Sequence, residues 1–194
     1  TNHVVQGYLL AGCNMRRCYV AHNASSENGQ NLDIATAYNT TPVCRTNVNC
    51  VFVYNFVTNG ANAITEGKTV LNCSYYGNYA ALSSGGIVRN GPAYNTLLIG
   101  NSIGGSAFDV RGKRYMTNCV FSASNVAVDS DGYHDCKLAP NFRFGPTDDG
   151  GEYDIKKPSA AFNAGVIEEW MLPLLDGCDF AKRPRIKYDK IDVG

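Results

Sequence analysis

Apolar residues in the first two thirds of the chain recur on alternate positions within four similar segments, RRCYVAHNAS (16–25), VNCVFVYNFV (48–57), LNCSYYGNYA (71–80) and TNCVFSASNV (117–126). With each cysteine as origin, positions −2, 0 and +2 read Val48, Cys50, Phe52, then Leu71, Cys73, Tyr75, then Thr117, Cys119, Phe121. Side chains alternate with period two along a strand, so each copy predicts a short strand with one apolar face. Arg16 breaks that face in the first copy. Five places after the cysteine stands a small polar residue, Asn23, Asn55, Asn78 or Ser124. A degenerate copy, TLLIGNSIGGSA (96–107), overlays TVLNCSYYGNYA (69–80) with Gly100 in the cysteine place and Gly105 in the asparagine place. The origins 18, 50, 73, 100 and 119 are then separated by 32, 23, 27 and 19 residues.

Units of this size cannot bury an apolar face alone, so the copies must stack on one another. A leucine-rich repeat would show an LxxLxL frame, and a propeller blade needs ~40 residues or more. The remaining expectation is an all-β parallel β-helix, with cysteine pointing inward on a strand and asparagine at the corner that follows. Asn28-Gly29, Asn59-Gly60, Gly85-Gly86 and Asn90-Gly91 are the expected corners of positive φ.

Stacked strands lie ~4.8 Å apart, so equivalent residues form columns. Cys18, Cys50, Cys73 and Cys119 are expected as a packed thiol column, and Asn23, Asn55 and Asn78 as an amide column bonding the turns above and below. A metal or redox site is the functional alternative for the cysteines, but no histidine joins them and there is no CxxC. Cys13 and Cys44 lie five and six residues before their column cysteines and form a candidate disulfide; Cys136 and Cys178 are a second, weaker pair.

Composition agrees with short strands and turns. Glycine and asparagine each number 20 of 194 residues, while charged residues are only 18%. Lys+Arg and Asp+Glu are both 17, so the basic footprint of a nucleic-acid or anionic-membrane binder is missing. No apolar run approaches the ~20 residues of a spanning helix, so membrane insertion is not expected. His3, His22 and His134 have no metal-ligand spacing, and neither a metal nor a cofactor is expected. One domain is expected, with repeats over 1–127 and a capping or wrapping segment over 128–194 that covers the exposed end of the stack and carries a short helix near Val166 to Leu172. A start at Thr1 without Met reads as a processed or excised chain.

In that segment PSAAFNAG (158–165), DFAKRPRI (179–186) and KIDVG (190–194) follow one another. Their order resembles the C-terminal region of secreted bacterial right-handed β-helix proteins of the choice-of-anchor Q type. Ser159, Asn163, Gly165, Asp179, Pro184, Arg185, Asp192 and Gly194 carry the match; Ala160 and Lys182-Arg183 depart from it. The resemblance implies a right-handed β-helix with a secreted or cell-surface location, and no chemistry.

Parallel β-helices also host pectin-degrading enzymes, which sets the rival expectation. Asp129, Asp131, Asp148, Asp149 and Arg185 occur in a tempting order for a glycosidase, but no histidine lies between Asp149 and Arg185. Arg111, Lys113 and Arg114 could serve a lyase, and Asp129, Asp131 and Asp135 could start a calcium loop without its later Glu. Tyr76 and Tyr79 are the candidate carbohydrate-binding residues, with Tyr75 expected inside. The expected function is a non-catalytic secreted or cell-surface structural or adhesive module, self-associating head to tail into a filament. A polysaccharide-active enzyme (lyase or glycoside hydrolase) and a carbohydrate-binding module without turnover, each with an extracellular glycan as partner, are the alternatives.

Overall fold

In the computed structural model the described residues are 4–5, 10–11, 14–25, 35–36, 46–57, 63–66, 68–81, 86–89, 91–107, 115–122, 132–139, 159–175, 177–179 and 182–194. They are mostly short strands in four sheets whose neighbours are almost all parallel. The first sheet stacks Met15–Arg16, Thr46–Val48, Thr69–Leu71, Ala93–Tyr94, Met116–Thr117 and Tyr133–His134. The second stacks Tyr19–Ala21, Val51–Val53, Ser74–Tyr76, Leu97–Ile99, Val120–Phe121 and Lys137–Leu138. The third stacks Val4–Val5, Ala24–Ser25, Phe56–Val57, Tyr79–Ala80 and Ser102–Ile103, and ends with an antiparallel strand, Ser106–Ala107. The fourth holds Leu10–Ala11, Ala35–Thr36, Ala63–Glu66 and Gly86–Arg89. Three times among the described residues, over 15–36, 46–66 and 69–89, the chain visits the first, second, third and fourth sheets in turn, each time one layer further on.

Register identifies the true columns. Val51 pairs with Tyr19, Ser74 with Val51, Leu97 with Ser74, Val120 with Leu97 and Lys137 with Val120. The residues just before them are Cys18, Cys50, Cys73, Thr96, Cys119 and Cys136, separated by 32, 23, 23, 23 and 17 positions. The overlay that put Gly100 and Gly105 in the column is thus four residues out of register: Thr96 and Asn101 hold those places. Its error came from treating cysteine as indispensable, when the position needs a small side chain with a γ hydrogen-bond donor. Cys18, Cys50, Cys73, Cys119 and Cys136 each donate Sγ–H to the carbonyl two residues before, at 3.3 to 3.5 Å, and Thr96 Oγ1 does the same to Tyr94 at 2.9 Å.

That bond exists because the intervening residue is left-handed. Arg17, Asn49, Asn72, Asn95, Asn118 and Asp135 have φ between 46° and 53°. Asparagine and aspartate tolerate this conformation better than most side chains. A second left-handed residue turns the chain four places after the column, at His22, Tyr54, Gly77 and Gly100. Of the expected Gly corners, Gly86 and Gly91 lack positive φ, and Asn28, Gly29, Asn59, Gly60, Gly85 and Asn90 lie outside the described residues.

A left-handed residue at −1 also cancels the simple alternation. Position −2 faces out of the interior and −3 faces in, so Val70, Cys73 and Tyr75 share the main core while Val48 and Leu71 belong to a separate outer cluster. Inside, Tyr75 lies flat on Phe52 with ring centroids 4.6 Å apart, and its hydroxyl is 2.8 Å from Thr65 Oγ1. Tyr75 is thus interior, as its parity predicts. Full burial of each such side chain contributes about 1.5–3 kcal/mol.

At the second corner Asn55, Asn78 and Asn101 continue the column from Asn23. Nδ2 of Asn23, Asn55 and Asn78 donates to Oδ1 of the next asparagine at 2.9, 3.0 and 3.0 Å. The same Oδ1 atoms accept the backbone N–H of the preceding asparagine at 3.2, 3.0 and 3.0 Å. Of this column's described amide oxygens, Asn23 Oδ1, at the N-terminal end, is the one buried without a partner. Ser124 lies outside the described residues.

The layers continue past residue 127, since Tyr133–His134 and Lys137–Leu138 extend the first two sheets. Beyond them a 3-10 turn at Glu169–Met171 enters one α-helical turn, Leu172–Leu175. The described part of this segment runs along the flank of the stack, not over its end. Met171, Leu175 and Ile191 cover Val48 and Leu71, while Ala161 and Val193 cover Leu97, Ile99 and Val120. The expected apolarity of position −2 was real, but its cause is this flanking strap.

Candidate functional site

Three groupings of side chains stand out: the thiol column, an outer aromatic strip and the seam under the strap. The six described cysteines are all free thiols. The suggested Cys136 to Cys178 disulfide is therefore not formed, since Cys136 belongs to the column and Cys178 receives a hydrogen bond from Arg17 Nη1 at 2.9 Å. Cys13 and Cys44 lie outside the described residues. No group of three or more His, Cys, Asp or Glu with metal-holding geometry occurs among the described residues.

Burial, followed by the hydrogen bond with Cys136, pushes the Cys119 thiol well above its ordinary 9.0. Burial likewise raises the Tyr75 phenol above 10.0. Both groups hold their protons in the folded state at a pH where the unfolded chain releases them, so stability is intact below pH ~9 and falls above it. Each contributes a slope of about 1.4 kcal/mol per pH unit, Cys119 above pH ~9 and Tyr75 above ~10. Cys119→Thr, which copies Thr96, should remove the first share; urea midpoints measured with reductant from pH 7 to 10.5 would show the two lines converging or not.

On the outer face Phe56 stacks on Tyr79 at 4.5 Å, Tyr54 meets Tyr76 edge-on at 5.3 Å, and His22 stacks on Tyr54 at 5.5 Å. Tyr54 and Phe56 are 44% and 41% exposed. Gly77 gives the Tyr54 ring its place, since a Cβ there would stand 2.6 Å from Cδ1. The candidate pair Tyr76 and Tyr79 is therefore assembled, but Tyr79 spends one ring face on Phe56. Sugars stack on open ring faces, and Phe56 and Tyr79 each turn one face to the other.

The seam uses the left-handed asparagines. Asn49 Nδ2 donates to the Leu175 and Cys178 carbonyls at 3.0 and 2.9 Å, and Asn72 Nδ2 to the Asp192 carbonyl at 3.1 Å. Asn95 grips Val166 from both sides: Nδ2 donates to its carbonyl at 2.7 Å and Oδ1 accepts its N–H at 2.8 Å. The motif residues of the C-terminal region serve the same seam. Asn163 N–H donates to Asp192 Oδ1 at 2.6 Å, Gly165 N–H to Ile191 O at 2.9 Å, and Gly194 N–H to Asn95 O at 2.8 Å. Arg185 Nη2 donates to the Asp192 and Gly194 carbonyls, and burial lowers its pKa to about 10 despite the opposing pull of Asp192 and Asp179.

Arg185 is thus committed to holding the chain, not presented to a substrate. Asp135 is exposed at a left-handed corner. Asp129, Asp131, Asp148, Asp149, Arg111, Lys113 and Arg114 lie outside the described residues. Asn23 and Asn72, both in N-glycosylation sequons, are buried. Sequence reasoning missed Thr96, Asn101, Cys136 and the buried Lys68, as well as the docking role of Asn49, Asn72 and Asn95. The repeated Asn-Cys dipeptide carried a visible signal for Asn49 and Asn72, and Asn95 stands 23 residues after Asn72 with threonine in the cysteine place.

No family model, no curated protein and no solved structure matches the chain.

Proposed function

We propose that the chain is a right-handed parallel β-helix serving as a non-catalytic structural or adhesive module, secreted or displayed at the cell surface. The observation that carries this reading is the use of its polar side chains. The asparagines of one corner bond layer to layer, those of the other bond layers to the strap, and the motif arginine holds the C-terminal carbonyls. Parallel layers joined sheet to sheet in one rotational sense support the helical winding, and right-handed crossovers are the rule for parallel strands. The extracellular location rests on the resemblance of the C-terminal motifs.

Incubation with polyuronates should yield no new reducing ends and no unsaturated products. Appearance of either would transfer the chain to the rival class of polysaccharide-active enzymes. A carbohydrate-binding module without turnover is favoured only by the exposed Tyr54 and Phe56 rings. It predicts glycan-array signals that disappear in Phe56→Ala with the fold retained.

A further inference from the structure

We propose that Cys136 and Cys119 form a redox-active dithiol: Cys136 takes a thiol group from a small aliphatic disulfide, and Cys119 then displaces that group to leave a disulfide between two layers. The step goes beyond the scaffold reading and does not depend on it. It is stoichiometric, a modification of the chain and not a turnover.

Register places the pair. Thr117 lies opposite His134 and Val120 opposite Lys137, so Cys119 and Cys136 occupy the same place in successive layers. Backbone bonds pin both sides, Asn118 N–H to the His134 carbonyl and Lys137 N–H to the Cys119 carbonyl, each at 2.9 Å. Neighbouring strands stand ~4.8 Å apart, inside the roughly 4.4–6.8 Å between Cα atoms that a disulfide accepts. On its other side Cys119 meets Thr96, which has no sulfur, so Cys136 is its one thiol neighbour in the column.

The two thiols differ in access and in polarity. Cys119 is fully buried, whereas Cys136 is partly exposed and open to a reagent. Cys119 directs both its thiol and its backbone N–H at the Cys136 sulfur, and Cys50 N–H stands in the same relation to Cys73 Sγ at 3.4 Å. Those donors hold the Cys136 thiol below its ordinary 9.0, in spite of burial and the Asp135 carboxylate. The thiolate is the nucleophile in exchange, so Cys136 is the attacking group. Cys18, the partly exposed thiol at the other end of the column, has the opposite polarity. It gives its proton to Cys50, and that bond, followed by burial, pushes its thiol up.

The exchange balances in two steps. The Cys136 thiolate attacks one sulfur of the small disulfide, which forms a mixed disulfide on Cys136 and releases the other half as a thiolate. That thiolate takes the Cys119 proton, Cys119 Sγ attacks Cys136 Sγ, and the second half leaves to collect the proton that Cys136 gave up. Two protein thiols are oxidised to one disulfide, and the reagent is reduced to two thiols.

The probe is hydroxyethyl disulfide, added to the reduced, folded chain at pH ~8 and followed by acid quenching, digestion and peptide masses. Cys136 should gain the hydroxyethylthio group about tenfold faster than Cys18. It should then lose that group as a Cys119–Cys136 cross-linked peptide accumulates. Cys119→Thr, which copies Thr96, should stop at the Cys136 adduct, and Cys136→Ser should leave Cys119 unmodified. Circular dichroism on the same samples reads the strands, so if one variant does not fold the other and the wild type decide. An unmodified Cys136, Cys18 reacting as fast as Cys136, an adduct that persists in the wild type, or a cross-link that forms only after the strands are lost would each overturn the dithiol.

Discussion

Asn78→Ala will cost about 4 kcal/mol of unfolding free energy, while Asn23→Ala, the same change in the same column, will cost about 1. The Asn78 amide accepts both the backbone N–H and Nδ2 of Asn55 and donates to Asn101 Oδ1 and to the Phe52 carbonyl at 2.9 Å. Alanine takes the side-chain acceptor from the buried Asn55 N–H and the amide donor from the Phe52 carbonyl, and removes one of two bonds at Asn55 Nδ2 and at Asn101 Oδ1, without room for solvent. Each buried orphan costs about 1–3 kcal/mol, and relaxation recovers part of the sum. Asn23 stands at the end of the column, where its own Oδ1 already lacks a partner, so its deletion removes one good bond. Urea denaturation of both variants decides the matter. Equal losses would mean that the column is an assortment of separate bonds and does not act as a connected unit.

Gly91→Ala is the second large effect, about 3 kcal/mol. A Cβ there would be driven into the Lys68 carbonyl oxygen, with the Lys68 carbonyl carbon at 2.8 Å and nitrogen at 2.9 Å. These are backbone atoms of the preceding layer, so relief requires parting two layers whose other contacts are all in register. Gly105→Ala is the control. Its Cβ would meet nothing within 4 Å, and only its φ of +77° opposes the change, at about 1 kcal/mol. Thermal melts of the pair should separate by several degrees; indistinguishable melting temperatures would show that the layers slide apart more readily than their packing suggests.

Stacking and parallel pairing were legible because Cys50, Cys73 and Cys119 recur with an asparagine or serine at a fixed distance, a pattern that only superposed strands use. The exact phase was not. Thr96 replaces cysteine without any loss of function at its site, so a search keyed to sulfur slipped to Gly100. Orientation at Val48 and Leu71 was misjudged for a different reason: a left-handed residue adds a half-turn that alternation arguments do not contain. The strap was visible as a change in composition, and its motifs were readable, but not its course. Flank and end look alike in a sequence, because both present apolar residues to be covered, and only Asn49, Asn72 and Asn95, spaced by 23, hinted that three layers are gripped in succession.

From column cysteine to column asparagine the chain always takes five steps: Cys18 to Asn23, Cys50 to Asn55, Cys73 to Asn78, Thr96 to Asn101. From asparagine to the next column residue it takes 18 in three layers, yet 27 between Asn23 and Cys50. Length is therefore policed on one side of the circuit and tolerated on the other. Foreign peptides grafted between Ala24–Ser25 and Ala35–Thr36, or between Ala35–Thr36 and Thr46–Val48, should leave those strands paired, which makes that arc the natural place to attach a label, an epitope or a tether.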